Sequence, residues 1–155
     1  MKKILIISDE HGKTSITNKL LKNNKYDLKI HLGDSLEDIN WLQNNFDKFV
    51  QGNNDSFVID KWYEEFEYEG IKFNIFHGTG LVSMNPEYQK IIKSFDKEYD
   101  VYLFGHNHLK SDITIENKRF INPGSVGLPR DGKLGSYIEM EIDKGKISKL
   151  EYINI

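Results

Sequence analysis

Lys3-Ile4-Leu5-Ile6-Ile7-Ser8-Asp9-Glu10-His11-Gly12 is the stretch on which the fold class turns. Its first half is a continuous apolar, β-rich run, the pattern of a strand buried on both faces. Its second half becomes polar at once, and beyond it Gly12 to Asn24 carries Ile16, Leu20 and Leu21 at helical spacing. Strand, polar turn and helix are therefore predicted in that order. The unit recurs: Leu28 to Leu32 reads as a strand, Ser35 can cap a helix carrying Ile39, Leu42 and Phe46, and Lys48 to Val50 begins a short third strand.

Downstream of this βαβαβ pattern the texture changes. From Trp62, the residues Phe66, Tyr68, Ile71, Phe73 and Ile75 flank Glu69-Gly70, which reads as a hairpin leading into His77. A helix around Glu87 to Phe95 and a buried strand Val101 to Phe104 follow. The last third, with Ile113 and Ile115, Phe120 and Ile121, Tyr137 to Ile142 and Ile147 to Ile153, reads as a β-meander turning at Glu116-Asn117 and Lys144-Gly145. An α/β half followed by a β-rich half predicts two sheets packed face to face with helices outside.

The 155 residues fit one domain, which buries roughly two-thirds of the surface of its unfolded chain. No Pro/Gly/Ser linker, repeat or low-complexity tract invites a division, so residues 1–155 are expected to form one unit. With no cysteine the chain makes neither a disulfide nor a thiolate zinc site, leaving His, Asp, Glu and Asn as metal donors. The net charge of −3 comes from interleaved acids and bases, which argues against an extended nucleic-acid surface. The first apolar run ends at Ser8, too soon for a signal peptide, and no run approaches the ~20 residues of a membrane span. A cytoplasmic protein without a membrane partner is expected, and an exposed β-edge near the C-terminus would suit a homodimer or higher homo-oligomer.

Function is suggested by where the polar residues fall. Asp9 and His11, Asp34, Asn53, His77, and His106 and His108 each follow an apolar strand-like run. Strands running to a common edge bring the loops beyond their ends together. In a locally extended turn, Asp9 and His11 would face one way, as would His106 and His108. Gly33 and Gly52 would let the backbone turn sharply and deliver Asp34 and Asn53 into the cleft. Each feature has an ordinary alternative: a solvated loop for either pair, a helix N-terminal acid for Asp34, turn residues for Asn53 and Asn54, and a flexible loop after His77. Taken together, they must account for four of the five histidines lying at strand ends. His31, flanked by apolar Ile30 and Leu32, reads as packed or as a partner to a ligand rather than a direct donor. Trp41, Trp62 and the many Phe and Tyr read as core rather than as a base-stacking platform.

Asp9-x-His11, Gly33-Asp34, Gly52-Asn53-x-Asp55, His77-Gly78 and Gly105-His106-x-His108, in this order, resemble the calcineurin-like metallophosphoesterase family. The resemblance runs from residue 3 to about 125, and Asn122-Pro123-Gly124-Ser125 is similar to the small bacterial and archaeal phosphodiesterase subgroup. It implies a four-layer α/β/β/α sandwich and two divalent ions bridged by Asp34. Asp9, His11 and His108 would complete the first metal site, and Asn53, His77 and His106 the second. The mixed oxygen and nitrogen donors suit Mn²⁺ or Fe, with Zn²⁺, Ni²⁺ or Co²⁺ as alternatives. Many family members have His where this chain has Asn54, and an amide cannot protonate a leaving group. Asn54 and Asp55 remain the candidates for catalytic support, Asp55 by orienting the loop. Glu10 and Asn107 should point away from the metals. Asn53 and Arg130 are the candidate substrate contacts, Arg130 because guanidinium binds phosphate oxygens in a fork.

These expectations combine into a phosphodiesterase in which a metal-bridging hydroxide attacks phosphorus in line. Two divalent ions, the Asp9 and Asp34 carboxylates and one hydroxide leave a local charge of about +1, which matches a monoanionic diester better than a dianionic monoester. The alternatives are a phosphomonoesterase on the same site and a non-catalytic protein-binding scaffold of the same fold, as in the retromer subunit.

Overall fold

A computed structural model describes residues 1–23, 25–56, 60–132 and 134–155. Ten strands form two five-stranded sheets. In the first, β1 (Lys2–Ile7), β2 (Leu28–His31) and β3 (Lys48–Phe49) run parallel, and β9 (Ser136–Asp143) and β10 (Lys146–Asn154) continue antiparallel from β1, giving the order β10-β9-β1-β2-β3. In the second, β5 (Ile71–Phe76), β6 (Val101–Leu103) and β8 (Lys118–Pro123) are parallel. The antiparallel strands β4 (Tyr63–Tyr68) and β7 (Lys110–Ile115) form its edges, in the order β4-β5-β6-β8-β7.

The apolar run of β1 explains the layering. Ile4 and Ile6 enter a central core that also holds Ile30, Phe73, Ile75, Leu103, Ile121 and Met140 from both sheets. Leu5 and Ile7 point the other way, into a second cluster with Leu42 and Phe46, flanked by Leu20, Leu21 and Trp41 of α1 (Ser15–Lys22) and α2 (Ile39–Asn45). A third cluster joins Phe76, Tyr102, Phe104 and Phe120 to Ile91 and Ile92 of α3 (Tyr88–Lys93). Period-two alternation thus places one apolar set between the sheets and another under the helices. The result is the four-layer α/β/β/α sandwich.

Several boundaries differ from the sequence reading. The first helix starts at Ser15 and ends at Lys22, because Gly12 and Lys13 belong to a turn; Asn24, its expected end, lies outside the described residues. The third helix is shorter than Glu87 to Phe95. The second is capped by Asp38, whose carboxylate accepts from the Trp41 amide at 2.9 Å. Ser35 instead accepts from the Glu37 amide at 3.1 Å, one turn too early to cap it. The last third is not a meander, since β7 and β8 close the second sheet while β9 and β10 belong to the first. The expected turns hold: Glu69-Gly70, Glu116-Asn117 and Lys144-Gly145 all have positive φ at both positions, as two-residue hairpins require.

Candidate metal centre

The parallel strands direct their C-terminal ends to one rim. Asp9 follows β1, Asp34 follows β2, Asn53 follows β3, His77 follows β5, and His106 follows β6. Backbone hydrogen bonds tie these loops to one another: the Asp9 amide donates to Gly33 O, the His11 amide to Asp34 O, and the Gly105 amide to His77 O.

Asp34 Oδ2 lies 3.2 Å from His77 Nε2 and 3.7 Å from His11 Nε2, so it stands between two groups of donors. Asp9 Oδ1 is 3.3 Å from His108 Nε2, 3.6 Å from His11 Nε2 and 3.8 Å from His77 Nε2. Asn53 Oδ1 lies 3.0 Å from His77 Nε2 and 3.2 Å from His106 Nδ1, and those two ring nitrogens are 3.3 Å apart. Donors about 2.1 Å from a shared ion lie about 3.0 to 3.4 Å apart in octahedral or tetrahedral geometry. The seven donors therefore need only small adjustments to close on cations.

Two further observations fit divalent ions. Among the described residues, Asp9 Oδ1 and His11 Nε2 are buried without a hydrogen-bond partner, an arrangement that is costly unless a cation compensates it. His77 Nδ1 and His108 Nδ1 each lie 2.7 Å from a backbone carbonyl, of Leu32 and Leu128 respectively. Donation of Nδ1–H to those carbonyls turns each Nε2 toward the cluster, which is how metal-binding imidazoles are held.

The electrostatics carry the same signature. Burial pushes the Asp9 carboxyl up, but the facing His108 and His11 imidazoles, the charge on His77 and the Ser8 hydroxyl hold it well below the usual carboxylate range. Asp34 is likewise held low against burial by His77 and by Asn54. Burial pushes His77 down, yet the Asp34 hydrogen bond and the Asp9 charge raise it to about 9. His11 is raised, chiefly by the facing Asp9 carboxylate, and His106 is lowered by burial and by the charge on His77. Raised imidazoles beside lowered carboxylates are the electrostatic pattern of a cluster suited to cations.

Five of the seven donors, Asp9, His11, Asp34, His106 and His108, have φ between 49° and 71°. The two D-x-H and H-x-H pairs therefore converge through left-handed backbone and not through the extended turn expected of them. Gly33 has φ of 101°, the conformation its position predicted. Gly52 serves differently: a Cβ there would lie 2.6 Å from the Asp34 amide nitrogen, so its absence lets two ligand loops touch.

The remaining candidate residues support this set. Asn54 donates from its amide to Asp34 Oδ1 at 2.8 Å and from its side chain to Asp34 Oδ2 at 3.0 Å, fixing that carboxylate. Asp55 accepts from the amides of Gly52, Asp34 and Leu36 at 2.8, 3.0 and 3.4 Å, which ties its loop to the segment carrying Asp34. Arg130 lines a recess of about 320 Å³ together with His11, Asp34, Asn53 and His106. Glu10 and Asn107 turn away from the cluster, Asn107 toward Ser83 and Asn122. Trp62 and Tyr63 are exposed rather than core, because β4 is an edge strand and both precede or open it at the rim.

Sequence reasoning missed a buried brace beneath the rim. Glu10 Oε1 lies 2.6 Å from His31 Nε2, Glu10 Oε2 accepts from Thr17 at 3.0 Å, and the Gly33 amide donates to His31 Nδ1 at 3.0 Å. Because Nδ1 accepts, Nε2 carries the proton that faces Glu10. Burial disfavours the charged ring, and the Glu10 carboxylate raises its proton affinity by more. The brace joins the residue between two ligands to the strand that delivers Asp34. The Asn122-Pro123-Gly124-Ser125 run plays a similar part, with Asn122 donating to Gly105 O at 3.1 Å and Ser125 to Asp9 O at 2.6 Å. The signal for the brace was a Glu placed between two candidate ligands and a His ending the next strand.

A sandwich whose parallel strands bring carboxylates, imidazoles and an amide to one rim has the groups that could hold metal ions. Residues 1–145 match the calcineurin-like phosphoesterase superfamily domain, and the chain belongs to that family. It is 33% identical over 156 residues to a Mycoplasma pneumoniae protein described as a probable metallophosphoesterase, covering 98% of this chain and 97% of that one. Among solved structures it is similar to a predicted phosphoesterase from Streptococcus pneumoniae, with a TM-score of 0.85, 26% identity and coverage of 99% of this chain and 89% of that one. An archaeal phosphodiesterase shares the fold, with a TM-score of 0.71, 22% identity and coverage of 99% of each chain.

Proposed function

We propose that residues 1–155 form one cytoplasmic phosphodiesterase domain that uses two divalent ions, Mn²⁺ foremost, to hydrolyse a small phosphodiester. The observation that carries this reading is the position of Asp34 Oδ2 between His11 and His77, with Asp9 Oδ1 facing both groups. Asp9, His11 and His108 would hold one ion, Asn53, His77 and His106 the other, and Asp34 both. When bound, such ions supply Lewis-acid charge to a phosphoryl oxygen and make coordinated water acidic near neutral pH.

The chain's own residues do the rest. Asn54 and Asp55 keep Asp34 in one orientation, so the carboxylate does not reorganise during turnover. Asn53 presents its Oδ1 to the imidazoles, which turns its amide toward the recess where it can donate to a phosphate oxygen. Arg130, whose Nη1 lies 3.5 Å from Asn107 O, stands at the wall of that recess to bind a second oxygen. With Asn54 in place of an acid, the leaving group takes its proton from water, which favours good leaving groups. The relationship in fold to a phosphodiesterase supports the diester preference.

Hydrolysis of bis-p-nitrophenyl phosphate and p-nitrophenyl phosphate, with Mn²⁺, with chelator and in His77→Ala, tests the reading. Diester cleavage that needs Mn²⁺ and disappears in His77→Ala is expected. Monoester preference would make the protein a phosphatase, and failure to bind metal or turn over either ester would leave the scaffold reading.

A further inference from the structure

Beside the candidate metal centre lies a second recess of about 410 Å³. His77, Gly78 and Thr79 form part of its wall, and Thr79 Oγ1 is 3.5 Å from Asn53 Oδ1, so the recess and the ligand cluster share a boundary. The Gln51 amide donates to Lys61 O at 2.8 Å, which anchors the segment entering β4 against the Gly52-Asn53 loop. Trp62 and Tyr63 follow directly, 47% and 54% exposed, two adjacent aromatic rings left open to solvent. Phe95 stands against Tyr63 and Phe76 with ring centroids 5.3 Å from each, completing an aromatic wall. Charged groups also line the recess, with Glu65 Oε1 3.7 Å from Lys97 Nζ.

An alkyl chain would meet the aromatic wall but gain nothing from the Glu65–Lys97 pair at its edge. A flat ring with a polar edge matches both features: its faces stack on the aromatics, and its edge meets a carboxylate and an ammonium. We propose that this recess is the subsite for the nucleobase of a nucleoside phosphodiester, one substituent of phosphorus lying here and the other in the Arg130 recess. The assignment rests on the phosphodiesterase reading above and adds the substrate class.

Two measurements test it. In W41F, where Trp62 is the one remaining indole, thymidine should quench fluorescence saturably with chelator present, deoxyribose should not, and Tyr63→Ala should weaken the response about tenfold. With Mn²⁺, kcat/KM for thymidine 5′-(p-nitrophenyl phosphate) should exceed that for methyl p-nitrophenyl phosphate about tenfold, and Trp62→Ala should bring the ratio to about one. The two esters share a leaving group, so the ratio reads the subsite and not the chemistry. Hydrolysis of both esters with no preference and no thymidine quenching overturns the subsite alone. Quenching without hydrolysis of either ester overturns the phosphodiesterase and leaves a nucleoside site. Equal quenching by deoxyribose, or a ratio unchanged in Trp62→Ala, also overturns it.

Discussion

Replacing Glu10 with Ala would remove the acceptor that both His31 Nε2–H and the Thr17 hydroxyl use, and all three residues are fully buried. A buried donor left without a partner costs about 1–3 kcal/mol, and a buried group that loses a charged partner costs more, so about 4 kcal/mol is expected for the pair. In a chain of this size each kcal/mol lowers the melting temperature by about 2–4 °C, which puts Glu10→Ala roughly 8–16 °C below the parent. Glu10→Gln keeps the shape and an acceptor for His31, while its amide can donate to Thr17; it loses only charge assistance, about 1 kcal/mol and 2–4 °C. Thermal unfolding followed by circular dichroism on metal-free protein should rank parent, Gln and Ala in that order. Mn²⁺ affinity should fall about tenfold in Glu10→Ala, because the brace sets the loop that carries Asp9 and His11. An Ala variant that melts within about 2 °C of the parent would show that the brace does not hold the rim.

In metal-free protein, His77, raised from 6.5 to about 9, contributes stability that is complete below pH 6.5 and is lost as the pH rises through 9. Metal binding needs that ring without its Nε2 proton, so Mn²⁺ stabilisation should grow over the same range; melts with EDTA and with Mn²⁺ should slope oppositely with pH, and parallel slopes would contradict the assignment. Asp9 and Asp34, held low, contribute stability that should vanish on acidification, read as a loss of metal-free melting temperature below the ordinary carboxylate range. Gly52→Ala forces a methyl against the Asp34 amide and should cost about 1–3 kcal/mol in urea unfolding while weakening Mn²⁺ binding. Asp55→Ala strips the acceptor from the Gly52 and Asp34 amides and should cost about 2–4 kcal/mol, whereas Asp55→Asn, which keeps one oxygen, should cost less than half of that.

Much of the fold was legible because burial on two faces writes an unbroken apolar run. β1 announced its layer through Ile4 and Ile6 on one side and Leu5 and Ile7 on the other. The destination of β9 was not legible, since Tyr137 to Ile142 alternates equally well beside β8 or beside β1, and only the closure of Ser125 onto Asp9 decides it. The donors could be chosen from sequence because each follows a strand. Their manner of convergence could not, because Asp and His adopt left-handed φ more often than most residues but still in a minority of cases, so their presence does not mark it. Nor could Trp62 be separated from the core aromatics, since its exposure depends on β4 being an edge strand.

The left-handed donors have a consequence for how such a protein changes over time. Each non-glycine residue held there costs about 1–2 kcal/mol relative to relaxed backbone, and glycine removes most of that cost. Deleting a donor by substitution with glycine should therefore relax the rim while it abolishes metal binding, and a metal-free melting temperature above the parent's in His106→Gly is the signature. Thermodynamic drift runs from catalyst toward inert scaffold. Five of the candidate donors sit in backbone that costs stability, a cost that a scaffold holding no metal would be free to shed.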